Sequence, residues 1–309
     1  MAAMLAYRRF AVPAGVLLAI VALVLIQQFG TLPGNGRVAA GLENAAHGPW
    51  FALLIFLVHL LARRVSTART ALLVSALAAL VLAPVTEALQ IVTIRDADLR
   101  DVGFDLLGAA AALAFLAGRN RPGNRAKSLT VAASLLTLSL LPGITALGVQ
   151  AYRNMIFPEL VSFAVPWWGG LLEANSPVAV VAPPTGWSEA PNRVLKVTLA
   201  DTRWPGVILP EPAADWSRFA VLEVDLFTPV AIEVRVSVRL ANAPTDHVYR
   251  TFALSPGAQQ LIFPIASTFD ASKVRVTAVV IYTKRRFAGH VIYLGGVRLV
   301  GAGPEMVAN

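Results

Sequence analysis

Hydrophobic positions along the chain follow two different periods, and the change falls near the middle. In the first half, apolar residues run almost unbroken through five stretches, residues 10–29, 45–62, 71–92, 102–118 and 129–149. A helix needs roughly 20 apolar residues to cross a hydrocarbon core of about 30 Å, so each stretch reads as a membrane span. From about Pro177 onward the apolar residues alternate with polar ones. In "AIEVRVSVRL", Ile232, Val234, Val236, Val238 and Leu240 share one face while Glu233, Arg235, Ser237 and Arg239 share the other. That is the pattern of a half-buried antiparallel strand. The runs "RVLKVTLA", "AVLEVDLF", "HVYRTFAL", "QQLIFPI", "KVRVTAVVIYT" and "HVIYLGGVRLV" repeat it, with turn signals such as Ser255-Pro256-Gly257 between them.

These periods predict an α-helical transmembrane bundle of about five spans over residues 1–150, followed by an all-β jelly-roll sandwich over 177–309. Residues 151–176 read as a linker, because Pro158, Pro166 and Gly169-Gly170 interrupt an otherwise apolar run. Trp167 and Trp168 within it suit either a membrane interface or a buried hinge.

Composition agrees with a membrane class: 56% of the residues are hydrophobic and only 14% charged, outside the usual range of one soluble domain. A net charge of +8 raises the question of nucleic acid, but the basic residues of the first half lie in short loops between apolar runs. Arg8 and Arg9 precede the first run, Arg63, Arg64 and Arg69 follow the second, and Arg119, Arg121, Arg125 and Lys127 separate the fourth from the fifth. The alternate loops hold only Arg37, Arg95 and Arg100. By the positive-inside rule the N-terminus is cytoplasmic in an inner membrane, and the C-terminal domain emerges on the periplasmic or extracytoplasmic side. No nucleic-acid partner is expected. The first 30 residues are also similar to a signal peptide, but the apolar run is long and no small-residue cleavage site follows closely, so a retained span is expected. Without cysteines, the exported domain must be held by its core alone.

The chemistry concentrates where two apolar runs meet, in "EALQIVTIRDADLRDVGFDLLG". The expected topology puts His47, Glu87, Gln90, Asp101 and Asp105 on one side of the membrane. Glu87 and Gln90 are three apart, and Asp101, Asp105 and Gly108 are four and three apart, so each set shares a helix face. Ionisable groups at such depth cost on the order of 2.5 to 3.5 kcal/mol each and usually pair inside the bundle. Arg95 is the obvious counter-ion. Arg95 and the acids could simply staple the loop, with Asp98 or Asp101 capping the fourth span. Against that reading, Glu87, Asp98, Asp101 and Asp105 outnumber Arg95 and Arg100, and excess buried acid suggests a ligand, a metal or a shared proton.

"LENAAH", "EALQ" and "RDADLRDVGFDLLG" together resemble the VanZ-like membrane proteins over roughly residues 31–118. His47, Glu87 and Gln90 match that family's earlier elements, and Arg95, Asp98, Asp101 and Gly108 match its later spacing. Glu43 and Asn44 stand where the family has Asp and Lys, and Asp105 where it has Asn, which makes this site more acidic. The resemblance implies a cell-envelope setting, with glycopeptide antibiotic resistance among its associations.

Three roles fit the cluster. As a binding site, His47, Glu87, Gln90, Arg95, Asp98, Asp101 and Asp105 would receive a membrane lipid or lipid-linked glycan, Arg95 taking phosphate or carboxylate. As a hydrolase or transferase, His47 would act as general base with Glu87 or Asp101 as partner acid. No cofactor is required, although a divalent cation on His47, Glu87, Asp101 and Asp105 is a third role for the same oxygen-rich set. A structural part in a polysaccharide-export assembly, with envelope-assembly proteins as partners, is a further alternative.

The stretch 193–240 with "HVIYLGGVRLV" is similar to the galactose-binding-like sandwich of carbohydrate-binding modules, on cues such as Trp204-Pro205-Gly206 and Asp215-Trp216-Ser217. That resemblance implies a carbohydrate partner, with Trp187, Trp204, Tyr249 and Tyr282 as glycan-stacking candidates. Core packing is the competing role for such rings. If Arg95 is the counter-ion of the acidic cluster, Arg95→Ala lowers the melting temperature of the purified protein by stranding carboxylates; unchanged melting removes that role.

Overall fold

A computed structural model describes residues 2–29, 36–91, 98–119, 122–164, 166–212, 215–241, 245–265, 267–271 and 274–301. By contacts the chain divides into two units, Met1–Leu147 and Gly148–Asn309.

The first unit is built from α1 (Ala2–Phe29), α2 (Arg37–Val65), α3 (Ala68–Gln90), α4 (Leu99–Arg119), α5 (Arg125–Ser139) and the start of α6 (Leu141–Ile156). Only Ser66 and Thr67 separate α2 from α3, so the two must run antiparallel as neighbours. Thr67 starts α3 by taking extended backbone angles and accepting a hydrogen bond from the Thr70 amide at 3.3 Å, which satisfies one of the helix's unpaired donors. Phe51, Leu54 and Ile55 of α2 pack on Ala79 and Ala83 of α3 and on Ala109 and Ala112 of α4. Large apolar side chains point the other way: Leu17, Leu18, Leu77, Leu80 and Val81 are exposed. In water that surface would be costly, and in lipid it needs no covering.

Small residues set the spacing of this bundle. A methyl group added at Gly108 of α4 would lie 1.9 Å from the carbonyl oxygen of Gly48 in α2, and one added at Gly48 would lie 2.0 Å from Ser139 Oγ of α5. The α2 and α4 backbones therefore touch at this pair, an approach that any side chain would prevent.

Among the described residues three helices, α2, α3 and α4, are individually long and apolar enough to cross a membrane. The fifth expected span is not straight: α5 and α6 meet at a 52° bend and qualify only as one broken span. Pro142 explains the break, since its ring nitrogen cannot donate the hydrogen bond that would continue α5, yet it is tolerated in the first turn of α6. By length and composition the described residues therefore show three spans, or up to four with the bent pair, and leave the expected five unconfirmed.

The second unit is two antiparallel sheets around one core. Its strands are β1 (Glu159–Val161), β2 (Glu173–Ala174), β3 (Val178–Val181), β4 (Val194–Thr198), β5 (Gly206–Pro210), β6 (Phe219–Thr228), β7 (Ile232–Ala241), β8 (His247–Leu254), β9 (Gly257–Pro264), β10 (Arg275–Thr283) and β11 (Val291–Gly301). One sheet runs β3-β4-β11-β6-β9 with β1 also on β11, and the other runs β2-β5-β10-β7-β8. The alternation in β7 is realised as read: Val234, Val236 and Val238 are fully buried, while Glu233, Arg235 and Arg239 lie on the opposite face. Each such valine contributes about 1.5 kcal/mol or more by leaving water.

The expected linker proves to be part of the sandwich. Leu160, Val161, Phe163, Leu171 and Leu172 belong to its core, Trp168 packs against that core with its ring 6.1 Å from Phe163, and β1 pairs with β11. Prolines and glycines signalled a break in regular structure there, but the apolar residues between them were bought by burial, not by flexibility.

The contact between α2 and α4 yields a direct test. Gly108→Ala should lower stability by about 1–3 kcal/mol through overpacking, whereas Gly103→Ala, with nothing within 4 Å of the added methyl, should be neutral or stabilising; thermal melting in lipid nanodiscs compares them.

Candidate functional site

The helix contacts just described decide where the polar residues go. His47 precedes Gly48 in α2, and Asp101, Asp105 and Gly108 line one face of α4, so the contact of the two glycines carries the histidine onto the carboxylates. His47 is 3% exposed and Asp105 fully buried. Imidazole Nδ1 lies 3.1 Å from Asp105 Oδ1, a hydrogen bond in which the ring N–H donates to the carboxylate. Nε2 lies 3.6 Å from Asp101 Oδ2. The ring is thus held between two carboxylates of one helix.

Glu87 and Gln90 arrive from the last turn of α3, and both are buried. The Gln90 amide donates to Glu87 Oε2 at 3.0 Å, and the backbone amide of Asp98 donates to Glu87 Oε1. Atoms of His47, Glu87 and Asp101 capable of holding a cation all lie within 4.8 Å of one another. That spacing suits a hard or borderline divalent ion in its donor types, one imidazole and two carboxylates. Two residues that sequence reasoning passed over complete the surroundings. Gln27 of α1 donates to Asp105 Oδ2 at 3.5 Å, and Gln28 donates to the Thr86 carbonyl at 3.0 Å. The adjacent glutamines at the end of an apolar run were the available signal.

Asp98 separates from the group. It is exposed, and its carboxylate accepts the Arg100 amide at 2.9 Å, closing the first turn of α4. This is the capping role. Arg95 lies outside the described residues. His59, at the other end of α2, is buried near Ser75 Oγ at 3.5 Å and takes no part.

On the sandwich the four aromatic candidates divide. Trp187 is buried, stacked 5.8 Å from Phe227 and pressed against Gly295, so it is a core ring and not a stacking platform. Trp204, Tyr249 and Tyr282 gather on the outer face of the five-stranded sheet. Trp204 is 40% and Tyr249 54% exposed, and the Trp204 and Tyr282 rings meet edge to face at 5.5 Å. Strand register brings them together: Tyr282 of β10 pairs with Arg235 of β7, and Ser237 of β7 with Tyr249 of β8. Nearby, Lys284 hydrogen-bonds Glu233 at 2.7 Å and, with Arg286, holds that carboxyl below its ordinary range.

No protein-family model matches the chain, the VanZ-like one included, and no curated protein matches it. Solved structures with similar folds include carbohydrate-binding-module β-sandwiches that cover the C-terminal part. The family 11 carbohydrate-binding module from Clostridium thermocellum, in complex with a β-1,3-1,4-mixed-linked tetrasaccharide, is 15% identical, with 42% of this chain and 88% of that chain covered and a TM-score of 0.31. An exo-β-agarase is 13% identical over 48% of this chain and 25% of its own, with a TM-score of 0.39. TmCBM61, in complex with β-1,4-galactotriose, is 9% identical over 42% and 87%, with a TM-score of 0.31. None reaches a TM-score of 0.5, so the functional reading rests on this chain's own residues.

If Asp105 anchors His47, Asp105→Ala strands a buried imidazole donor and should cost about 1–3 kcal/mol. Asp105→Asn, which keeps an acceptor oxygen, should cost less. Melting of the two variants in nanodiscs checks the order, and equal melting would deny the anchoring role.

Proposed function

We propose that the chain is an integral inner-membrane protein of the cell envelope that binds an envelope glycan or its lipid-linked precursor. Its N-terminus is cytoplasmic, α1 and the bent α5–α6 pair complete five crossings, and the sandwich works on the extracytoplasmic side. The helical unit receives the polar part of a lipid-linked ligand, and the sandwich holds glycan on the face that carries Trp204, Tyr249 and Tyr282. The VanZ-like motif pattern supports the envelope setting, including a link to glycopeptide resistance.

The observation that carries this reading is the convergence of His47, Glu87, Gln90, Asp101 and Asp105, all buried, in an otherwise apolar bundle. Side chains of this kind are costly in hydrocarbon and mark functional sites by default. Together they offer carboxylate acceptors for hydroxyls or amines and an amide and an imidazole that can donate to oxygen. Arg95, in the adjoining sequence, suits a phosphate or carboxylate.

A second reading is favoured by the position of His47 between Asp105 and Asp101. Asp105 orients the ring through Nδ1, and Nε2 is the nitrogen that would accept a proton from a hydroxyl or water, with Glu87 or Asp101 as the partner acid. That arrangement suits hydrolysis or group transfer on a lipid-linked substrate.

Native mass spectrometry of protein extracted gently from its own membranes tests both. A specific lipid or glycolipid should remain with the wild type and be absent from folded Glu87→Gln, Asp101→Asn protein. Under the enzymatic reading, His47→Ala should retain the ligand and lose turnover. Identical bulk lipid on every variant would reject a ligand role for the cluster.

A further inference from the structure

The outer face of the five-stranded sheet contains a cavity of about 520 Å³, lined in part by Trp204, Tyr282, Ser237, Arg239, Asp246 and His247. A neutral sugar would stack on bare ring faces, but here guanidinium groups lie over part of Trp204 and Tyr249. The Arg235 guanidinium carbon lies 5.9 Å from the Trp204 ring centroid and 5.1 Å from that of Tyr249. Arg203 covers Trp204 at 5.5 Å, and His247 stacks on Tyr249 at 6.1 Å with 19° between the planes.

The acids of this face pair with other groups, Glu233 with Lys284 and Arg286 and Asp246 with His247 at 2.6 Å, while Arg235 and Arg239 act on the same two carboxylates only through space. Arg203, Arg235 and Arg239 form no salt bridge among the described residues, and Arg235 Nε is buried without a hydrogen-bond partner there. A guanidinium packed on aromatic rings is fixed in orientation and partly stripped of water, which strengthens its attraction for an anion. Its planar fork matches two oxygens of a carboxylate or phosphate. Arg235 and Arg239 share one face of β7 four residues apart, about 13 Å along the strand, so a ligand spanning both is longer than one sugar ring.

We infer that this face binds an anionic glycan, its carboxylate or phosphate groups seated on Arg235 and Arg239 and its sugar rings lying along Trp204, Tyr249 and Tyr282. The inference rests on the glycan-binding reading above and names the class of its ligand. Charge supplies recognition, and the aromatic rings hold the guanidinium groups in place as well as contacting sugar.

The test uses the full chain in neutral detergent micelles, with three immobilised polymers: polygalacturonate, a poly(glycerol phosphate) polymer and neutral galactan. Retention is expected on at least one charged polymer and not on galactan, and should weaken as salt rises; the preferred charged polymer identifies the anion as carboxylate or phosphate. Arg235→Gln and Arg239→Gln should each weaken retention about tenfold or more. Arg193→Gln, the same charge change at an exposed site before β4, should leave it unaltered. Because Arg239 is exposed, its variant carries the comparison even where Arg235→Gln melts early. Equal retention on galactan, insensitive to both arginine variants, would overturn the anionic class and keep the glycan reading. Equal weakening by Arg193→Gln would reduce the effect to bulk charge and overturn the site. Retention on none of the three would overturn both readings.

Discussion

The placement of His47 against its carboxylates depends on two backbones touching. Gly48 and Gly108 leave room for α2 and α4 to meet at a distance that one methyl group would forbid. In lipid there is little hydrophobic drive to press helices together, so close packing and interhelical hydrogen bonds must supply it. The same contact is what makes His47 a neighbour of Asp101 and Asp105. Packing and polar chemistry are therefore one feature: a wider spacing would lose van der Waals contact and would also separate the imidazole from its carboxylates.

That coupling explains how so much acid is tolerated in an apolar bundle. Asp105 engages both His47 and Gln27, and Glu87 accepts from Gln90 and from the backbone at the entrance to α4. Each bond offsets part of the cost of removing a carboxylate from water. The groups lie at helix ends, where α3 finishes and α4 starts, so free N–H groups at the α4 terminus also favour negative charge. Asp98 uses this advantage as a cap and lies outside the buried group.

The sandwich handles polarity in the opposite way. Its inner faces are closed by Val234, Val236, Val238, Leu222 and Val224, with no disulfide to assist. Its charge is placed outside, on the strands that present Arg235 and Arg239 beside aromatic rings. Because side chains alternate along a strand, the residues that build the core also fix which residues face solvent, so β7 positions the arginines as a consequence of burying its valines.

Local pattern alone was enough for the two periods, the change from helices to strands, and the polar residues of three helices that share faces. These are legible because periodicity is a property of neighbouring residues. The short strands β1, β2, β3 and β5 were less so, lacking a full alternation, and the segment 151–176 misled because its prolines and glycines mark breaks while its leucines carry core contacts. The bend at Pro142 was hidden in a run whose composition is uniformly apolar. What only the tertiary structure decided were the distances: that Gly48 meets Gly108, that Gln27 reaches Asp105, that Trp187 turns inward while Trp204 stays out, and that Arg235 lies over two rings from different segments. Such contacts join residues far apart in the chain, and composition and spacing constrain which residues share a face without determining which face meets which.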